Sequence, residues 1–249
     1  MQRYFVSKDR LNETIIQIEG NDHHHIANVL RMNEGEQILC VIEQEGTALA
    51  RIEKITNELV LASIIEWVNE EKELPVQVTI VSGLPKGDKL EYIVQKGTEL
   101  GAASFIPFMA DRSIVKWDAK KVNKKIERLQ KIAKEAAEQS HRTLVPSVVM
   151  PMTIRQLVEM ANSYDALLIA YEEEAKQNEK AVLSETLLNL KKGASILVVF
   201  GPEGGLTESE VEQLKDAGFK TCGLGPRILR TETAPLYVLA AISYQLELN

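Results

Sequence analysis

Two hydrophobic rhythms run along this chain, and one gives way to the other near Pro75. Up to Trp67 the apolar residues come in short β-branched or alternating stretches: Thr14–Glu19, Glu36–Ile42, Thr47–Ile52 and Leu59–Trp67. An apolar residue at every second position marks a strand with one buried face. Gly20, Gly35 and Gly46 punctuate these stretches, and the pattern over His23–Arg31 predicts one short helix among them. Strands this close together in sequence predict a small β-barrel. The charge run Glu70-Glu71-Lys72-Glu73, followed by Pro75, reads as a linker. Domains are therefore expected over residues 1–72 and 73–249.

Beyond Pro75, strand-length apolar runs alternate with longer helical patterns. Strands are expected at Val76–Ser82, Ser104–Phe108, Val145–Val149, Ala166–Ala170, Ser195–Phe200 and Phe219–Leu224. Ser195–Phe200 is uninterruptedly apolar, as a strand covered on both faces should be. Between the strands lie helical patterns at Asp88–Leu100, Val122–Ser140, Ile154–Met160, Lys180–Leu190, Thr207–Ala217 and Thr231–Leu248, with a Glu172-Glu173-Glu174 loop ahead of the fourth. In Val122–Ser140 the residues Ile126, Leu129, Ile132, Ala133 and Ala136 form one stripe. Thr207 and Glu210 match a capping box. Alternation of this kind predicts an α/β domain with a mostly parallel sheet covered by helices on both faces.

Composition narrows the class of protein. The chain is 45% hydrophobic and 26% charged, ordinary values for a globular protein. No apolar run approaches the roughly 20 residues needed to span a bilayer. The opening Met1–Lys8 lacks the apolar region of a secretory signal. The cysteines, Cys40 and Cys222, each sit in an apolar stretch, which points to buried thiols and a cytoplasmic protein without a membrane partner. Adjacent histidines His23-His24-His25 do not share a helix face, and His141 is the only other histidine, so no metal is expected. The simple reading of the three is a polar, exposed helix start.

A net charge of −7 argues at first against nucleic acid. Local charge tells a different story. Between Asp111 and Lys134 the residues Arg112, Lys116, Lys120, Lys121, Lys124, Lys125, Arg128, Lys131 and Lys134 face only Asp118, Glu127 and Asp111 itself. Taken alone, such a run is most simply a solvated helix face. It is also what holding a phosphate backbone requires.

Ligands in parallel α/β sheets bind beyond the carboxyl ends of the strands, and three strand ends here are unusual. One is Ala166–Ala170 with Tyr171. The second runs from Phe200 into Gly201-Pro202-Glu203-Gly204-Gly205-Leu206, and the third is Leu224-Gly225-Pro226-Arg227-Ile228-Leu229-Arg230-Thr231-Glu232-Thr233-Ala234. The glycines of the second let backbone approach a ligand closely. No Lys-Ser/Thr follows, and the Gly-x-Gly-x-x-Gly spacing is absent, so neither phosphate-binding loop is present. A carboxylate within the loop suits a polar ligand that is not a polyanion. In the third segment Arg230 is a candidate for stabilising an anion. Thr231 or Thr233 is expected to cap the last helix, with Pro235 in its first turn. No Gly-x-Ser-x-Gly elbow supports a hydrolase.

The second and third segments together resemble the SPOUT class of RNA methyltransferases, and more narrowly the RsmE family, which methylates uridine N3 in 16S ribosomal RNA. Pro85–Lys89, Gln95–Gly101, Arg112-Ser113, Glu135–Arg142, Arg3–Phe5 and His25–Gly35 are similar to the same family, so the likeness covers essentially the whole chain. The resemblance implies a SPOUT-type C-terminal domain with a trefoil knot, preceded by a small PUA-like β-barrel. It implies S-adenosylmethionine as cofactor, held by Leu168, Ile169, Ala170, Phe200, Gly201, Gly204, Gly205, Leu224, Gly225, Ile228, Leu229, Thr233 and Ala234. A homodimer is implied, acting on 16S rRNA in the 30S subunit, with Thr231–Leu248 as one candidate for the dimer contact. Under this reading Arg230 stabilises the uracil anion while Glu203 or Glu232 accepts the proton. RNA contacts are expected from Arg3, Arg31, Lys86, Arg112, Lys116, Gln139 and Arg142. The competing readings are a non-catalytic RNA-binding or ribosome-assembly protein on the same scaffold, and a SPOUT enzyme aimed at another RNA target.

Overall fold

In a computed structural model of the chain, residues 1–118, 120–171 and 181–249 are described. The expected Glu172-Glu173-Glu174 loop, and Lys180 at the start of the helix expected after it, lie outside them. The chain divides into two units: Met1–Glu73 with Ala137–Thr143, and Leu74–Ala136 with Leu144–Asn249.

The first unit is built on β1 (Arg3–Val6), β2 (Leu11–Asn12), β3 (Ile15–Glu19), β4 (Gln37–Ile42), β5 (Gly46–Ile55) and β6 (Leu59–Val68). Their order is β1-β4-β5-β6-β3-β2, with β1 parallel to β4 and the other pairs antiparallel. Alternate residues point inward, so Ile16 and Ile18, Ile38 and Cys40, Ala48, Ala50 and Ile52, and Val60 and Ala62 form one core. Small alanines facing isoleucines let the strands curl around this core. Two register shifts in β5, at Leu49/Ala50 and Ile52/Lys54, add to the bend.

The helix expected over His23–Arg31 is a short α1 (Gly20–His24) that widens into a π turn at His25–Val29. The three histidines are not simply an exposed helix start. His23 is buried and its Nε2 lies 2.9 Å from the Thr56 carbonyl, while His25 Nδ1 lies 3.1 Å from the Tyr4 hydroxyl. Only His24 is exposed. Burial also pushes the Tyr4 hydroxyl well above its usual pKa, with Asp22 and Glu138 adding to the effect.

Strands β1 and β2 escape the sequence pattern for different reasons. β2 has two residues, too few to show a period. β1 carries an arginine into the interior: Arg3 is only 2% exposed. Its guanidinium donates to the Arg142 carbonyl at 3.1 Å and pairs with Glu70. Arg142, 3% exposed, pairs in turn with Glu73, which also accepts from the Thr143 backbone N–H at 2.8 Å. The charge run expected to be a free linker is thus pinned inside the first unit by two buried arginines. Pairs like these are costly to break, because an orphaned buried charge remains.

The second unit contains β7 (Gln77–Gly83), α2 (Lys89–Glu99), β8 (Ser104–Phe108), α3 (Val122–Gln139), β9 (Ser147–Val148) and α4 (Ile154–Met160). It continues with β10 (Ala166–Ala170), α5 (Ala181–Asn189), β11 (Ser195–Phe200), α6 (Glu208–Asp216), β12 (Lys220–Cys222) and α7 (Thr233–Glu247). The end of α3 is counted with the first unit. The strand order is β12-β10-β11-β7-β8-β9, and every pair is parallel. Both faces are covered, as the uninterrupted apolar run in β11 requires. Ile196, Val198 and Phe200 enter a core with residues of α2, α3, α5 and α7. Leu197 and Val199 enter another with residues of α4 and α6. Each such side chain, fully buried, contributes about 1.5–3 kcal/mol relative to exposure.

Helix starts follow local chemistry at α4 and α6, where Thr153 with Gln156 and Thr207 with Glu210 form capping boxes. The expectation fails at α7. Neither Thr231 nor Thr233 caps it; Glu232 occupies the N-cap position with a helical backbone and no side-chain cap. The first turn is held instead by the Arg230 carbonyl, which accepts from the N–H groups of Thr233 and Ala234 at 2.8 and 3.0 Å. Pro235 sits in that turn, as expected.

Candidate active site

The parallel register brings three strand ends level. Ala170 of β10 pairs with Phe200 of β11 and Cys222 of β12, and Phe200 pairs with Ser82 of β7. Each strand then releases its chain on the same side, and a cavity of about 370 Å³ opens there. That volume falls in the range of small-molecule sites. Its wall is Ala170 and Tyr171 at the end of β10, Phe200–Leu206 at the end of β11 and beyond it, and Leu224, Gly225, Arg227–Leu229 and Thr231 ahead of α7 with Ala234 in its first turn, with Arg112 at one side.

The glycine loop is shaped by its own backbone. The Gly205 N–H closes a turn on the Pro202 carbonyl at 2.8 Å, and Gly205 has φ +70°, a region that favours glycine. A Cβ on Gly201 would come within 3.0–3.1 Å of Gly205 and Leu206, so the turn doubles back against its own start. Arg112 is fixed beside it. The buried Glu210 accepts from the Asp111 N–H at 2.9 Å, and Arg112 Nη1 donates to the Gly204 carbonyl at 3.3 Å. The capping residue of α6 therefore also anchors the segment after β8.

Two carboxylates flank the loop. Glu203 Oε1 accepts from the Lys86 backbone N–H at 3.1 Å and from Lys89 Nζ at 3.0 Å. Glu232 Oε2 lies 3.4 Å from the same Lys89 Nζ. Partial burial pushes the Glu203 carboxyl up, but the Lys86 N–H and the Lys89 ammonium outweigh it and hold it below its ordinary value. Lys89 is raised, foremost by its hydrogen bond to Glu203; desolvation opposes this, and the charge of Glu203 and the contact with Glu232 add to it.

Most of the expected cofactor residues meet in this cavity: Ala170, Phe200, Gly201, Gly204, Gly205, Leu224, Gly225, Ile228, Leu229 and Ala234 all line it. Leu168 and Ile169 do not; both are fully buried in the cores on either face of β10. Thr233 is not on the wall either. Of the expected catalytic groups, Glu203 lines the cavity and Glu232 joins it through Lys89. Arg230 is exposed and off the wall, whereas Arg227 is on it. Sequence reasoning missed Arg227, Tyr171 and Lys89. Arg227 and Arg230 share one irregular segment, so no helix or strand period distinguishes which of them faces inward.

The expected RNA contacts divide in two. Arg31, Lys86, Arg112, Lys116 and Gln139 are exposed. Arg3 and Arg142 are not: buried and ion-paired inside the first unit, they have no surface to offer a phosphate and act as structural clasps. In the lysine-rich segment, Lys125 stacks over the Trp117 ring at 4.8 Å, and Arg128 is engaged by Glu91. Cys40 and Cys222 are both buried as reduced thiols, and burial pushes Cys40 up to about 12. Among the described residues no helix is long and apolar enough to cross a membrane.

Comparison with known proteins agrees with this geometry. Residues 72–243 match the family model of an RNA methyltransferase domain, and residues 18–65 match that of an RNA methyltransferase PUA domain. Ribosomal RNA small subunit methyltransferase E of Bacillus subtilis (strain 168) is 55% identical, over 100% of this chain and 98% of its own. The protein of the same name from Synechocystis is 33% identical, over 98% of this chain and 78% of its own. The solved structure of ribosomal RNA small subunit methyltransferase E from Neisseria gonorrhoeae bound to S-adenosyl methionine has a TM-score of 0.82 at 30% identity, covering 98% of this chain and 97% of that one. A curled PUA-type sheet, a wholly parallel second sheet, a cavity at the expected strand ends and these likenesses lead to one conclusion: the chain belongs to the ribosomal RNA small subunit methyltransferase E (RsmE) family of SPOUT-type RNA methyltransferases.

Proposed function

We propose that this protein transfers the methyl group of S-adenosylmethionine to N3 of a uridine in 16S ribosomal RNA, in the cytoplasm and on the 30S subunit. The observation that carries the reading is the cavity at the carboxyl ends of β10, β11 and β12, walled by the two segments that resemble the family. The residues present fit the cofactor. Main chain of the glycine loop offers polar groups for the edge of a purine, and Leu206, Leu224, Ile228 and Leu229 offer apolar cover for its faces. Glu203 adds a carboxylate to the wall, its Oε1 held by the Lys86 N–H and Lys89 Nζ.

When bound, S-adenosylmethionine supplies an electrophilic methyl group. The chain's own task is to make uracil N3 a nucleophile. Once N3 loses its proton, negative charge spreads over the two flanking carbonyl oxygens. A guanidinium aimed at them lowers the barrier electrostatically. Arg227, on the cavity wall and free of protein ion pairs among the described residues, is the better placed group for this than Arg230. Glu203 has its Oε1 engaged by two donors and its acidity strengthened, so it suits anchoring better than proton abstraction. Arg31, Lys86, Lys116 and Gln139, all exposed, are proposed to contact RNA. Association as a homodimer is supported by α7, which buries Val238, Leu239 and Ile242 while leaving Tyr237 and Tyr244 exposed.

The test is methyl transfer from labelled S-adenosylmethionine to 30S subunits taken from cells lacking this protein, with the modified nucleoside identified by mass spectrometry. The expected product is N3-methyluridine at a single site. Cofactor binding with no transfer to 30S would redirect the search to other RNAs, and loss of both would favour the non-catalytic reading.

A further inference from the structure

Lys89 stands where three separate parts of the second unit meet. It is the first residue of α2, and its ammonium contacts Glu203 of the glycine loop at 3.0 Å and Glu232 at the head of α7 at 3.4 Å. The Lys86 N–H reaches the same Glu203 oxygen, so the turn before α2 grips the loop twice. We propose that Lys89 is a positioning residue for methyl transfer, whose ammonium ties the Glu203 loop to the Glu232 turn and so holds the two cavity-forming segments at a fixed spacing.

Three observations carry this. The two carboxylates come from loops with no shared element, and without a cation between them they would repel. The Glu232 Oε2 atom is buried and has no hydrogen bond among the described residues, so the nearby ammonium is its compensating charge. Lys89 itself stands on a firm base, because Leu90, Ile93 and Val94 bury α2 in the sheet core. A rigid helix holding a cation between two irregular loops is how a site is kept in register when neither loop is braced by its own secondary structure. The acidity shifts of Lys89 and Glu203 run in the directions such a bridge produces.

The inference rests on the proposed methyl transfer for its kinetic reading, but not for its structural one. Amide hydrogen exchange separates the two. In Lys89→Met, amides of residues 201–206 and 225–234 should exchange about tenfold faster than in the parent protein, with β7 and β11 unchanged. The affinity for S-adenosylmethionine, measured by calorimetry, should fall with them. In methyl transfer, kcat should drop by about 10²-fold, since small misplacements at a reacting centre cost that much. Lys89→Arg should restore most of the loss. Adding Glu232→Gln to Lys89→Met should cost less than the two changes summed, because the second relieves the charge stranded by the first. Lys96→Met, on the outer face of the same helix, should leave every reading unchanged. Unaltered exchange in both loops, no rescue by arginine, or strict additivity would each overturn the proposal. Should Lys89→Met fail to fold, Lys89→Gln carries the same exchange and calorimetric test. A parent protein that transfers no methyl group would sink the proposed reaction while leaving the exchange result to judge Lys89.

Discussion

At the scale of single residues, the site turns on which arginine faces the cavity. Arg227 lines it and Arg230 does not, although both lie in one irregular segment. Arg227→Ala should therefore lower kcat by about 10²–10³-fold while Arg230→Ala stays within about tenfold, the span expected for loss of one anion-stabilising donor. Equal losses, read from single-turnover methyl transfer, would put Arg230 back in the mechanism. Glu203 makes a prediction about acid. Its folded pKa lies below the ordinary 4.5, so the unfolded chain binds more protons between the two values. The stability it lends is complete above the ordinary value and is lost as pH falls through the folded one. Melting curves of the parent and of Glu203→Gln should differ at neutral pH and converge once pH has fallen through the folded value. A gap that persists in stronger acid would show that Glu203 acts through something other than its charge. The residue types at the cavity were legible from sequence because glycine, proline and charge clustered at strand ends. Orientation was not legible, since side-chain direction in an irregular loop is decided by tertiary contacts. The same limit hid the fate of Arg3 and Arg142. Arginine is mostly exposed in proteins, and the carboxylates of Glu70 and Glu73, distant in sequence, help make their burial tolerable.

At the scale of elements, the sheet was readable wherever a period or an apolar run was long enough. β8, β10 and β11 fall where the apolar runs place them, and α4 and α6 start at residues with cap chemistry. The failures are instructive. β1 has one charged member in the core, β2 is two residues long, and α7 starts on a carbonyl rather than a side chain. Element contacts also set the cavity. A Cβ on Gly83, the last residue of β7, would lie 2.5 Å from the backbone nitrogen and Cδ of Pro202. Backbone cannot yield as a side-chain tip does. Gly83→Ala should push the glycine loop outward, at about 1–3 kcal/mol of overpacking. Calorimetry should find cofactor affinity weakened more than the melting temperature alone explains. An unchanged affinity would mean that the loop moves without touching the ligand.

At the scale of the whole molecule, the two units keep separate cores, and every residue on the cavity wall belongs to the second. Arg31→Glu, an exposed change in the first unit, should weaken RNA binding and flatten its salt dependence by roughly one to two ions. Cofactor affinity should not move. Parallel loss of both would mean that the units are coupled in binding. The change of hydrophobic rhythm falls near Pro75, close to where the second unit begins at Leu74, but it could not reveal that residues 137–143 rejoin the first unit. That return has a consequence in time. Glu73 waits for Arg142, which lies 69 residues further along the chain. At about 5–20 residues per second, synthesis takes roughly 3–14 seconds to cover that stretch. The unit begun first is therefore not finished when its own stretch ends: its last clasp arrives only after residues 74–136 of the second unit have been made, though still before residues 144–249.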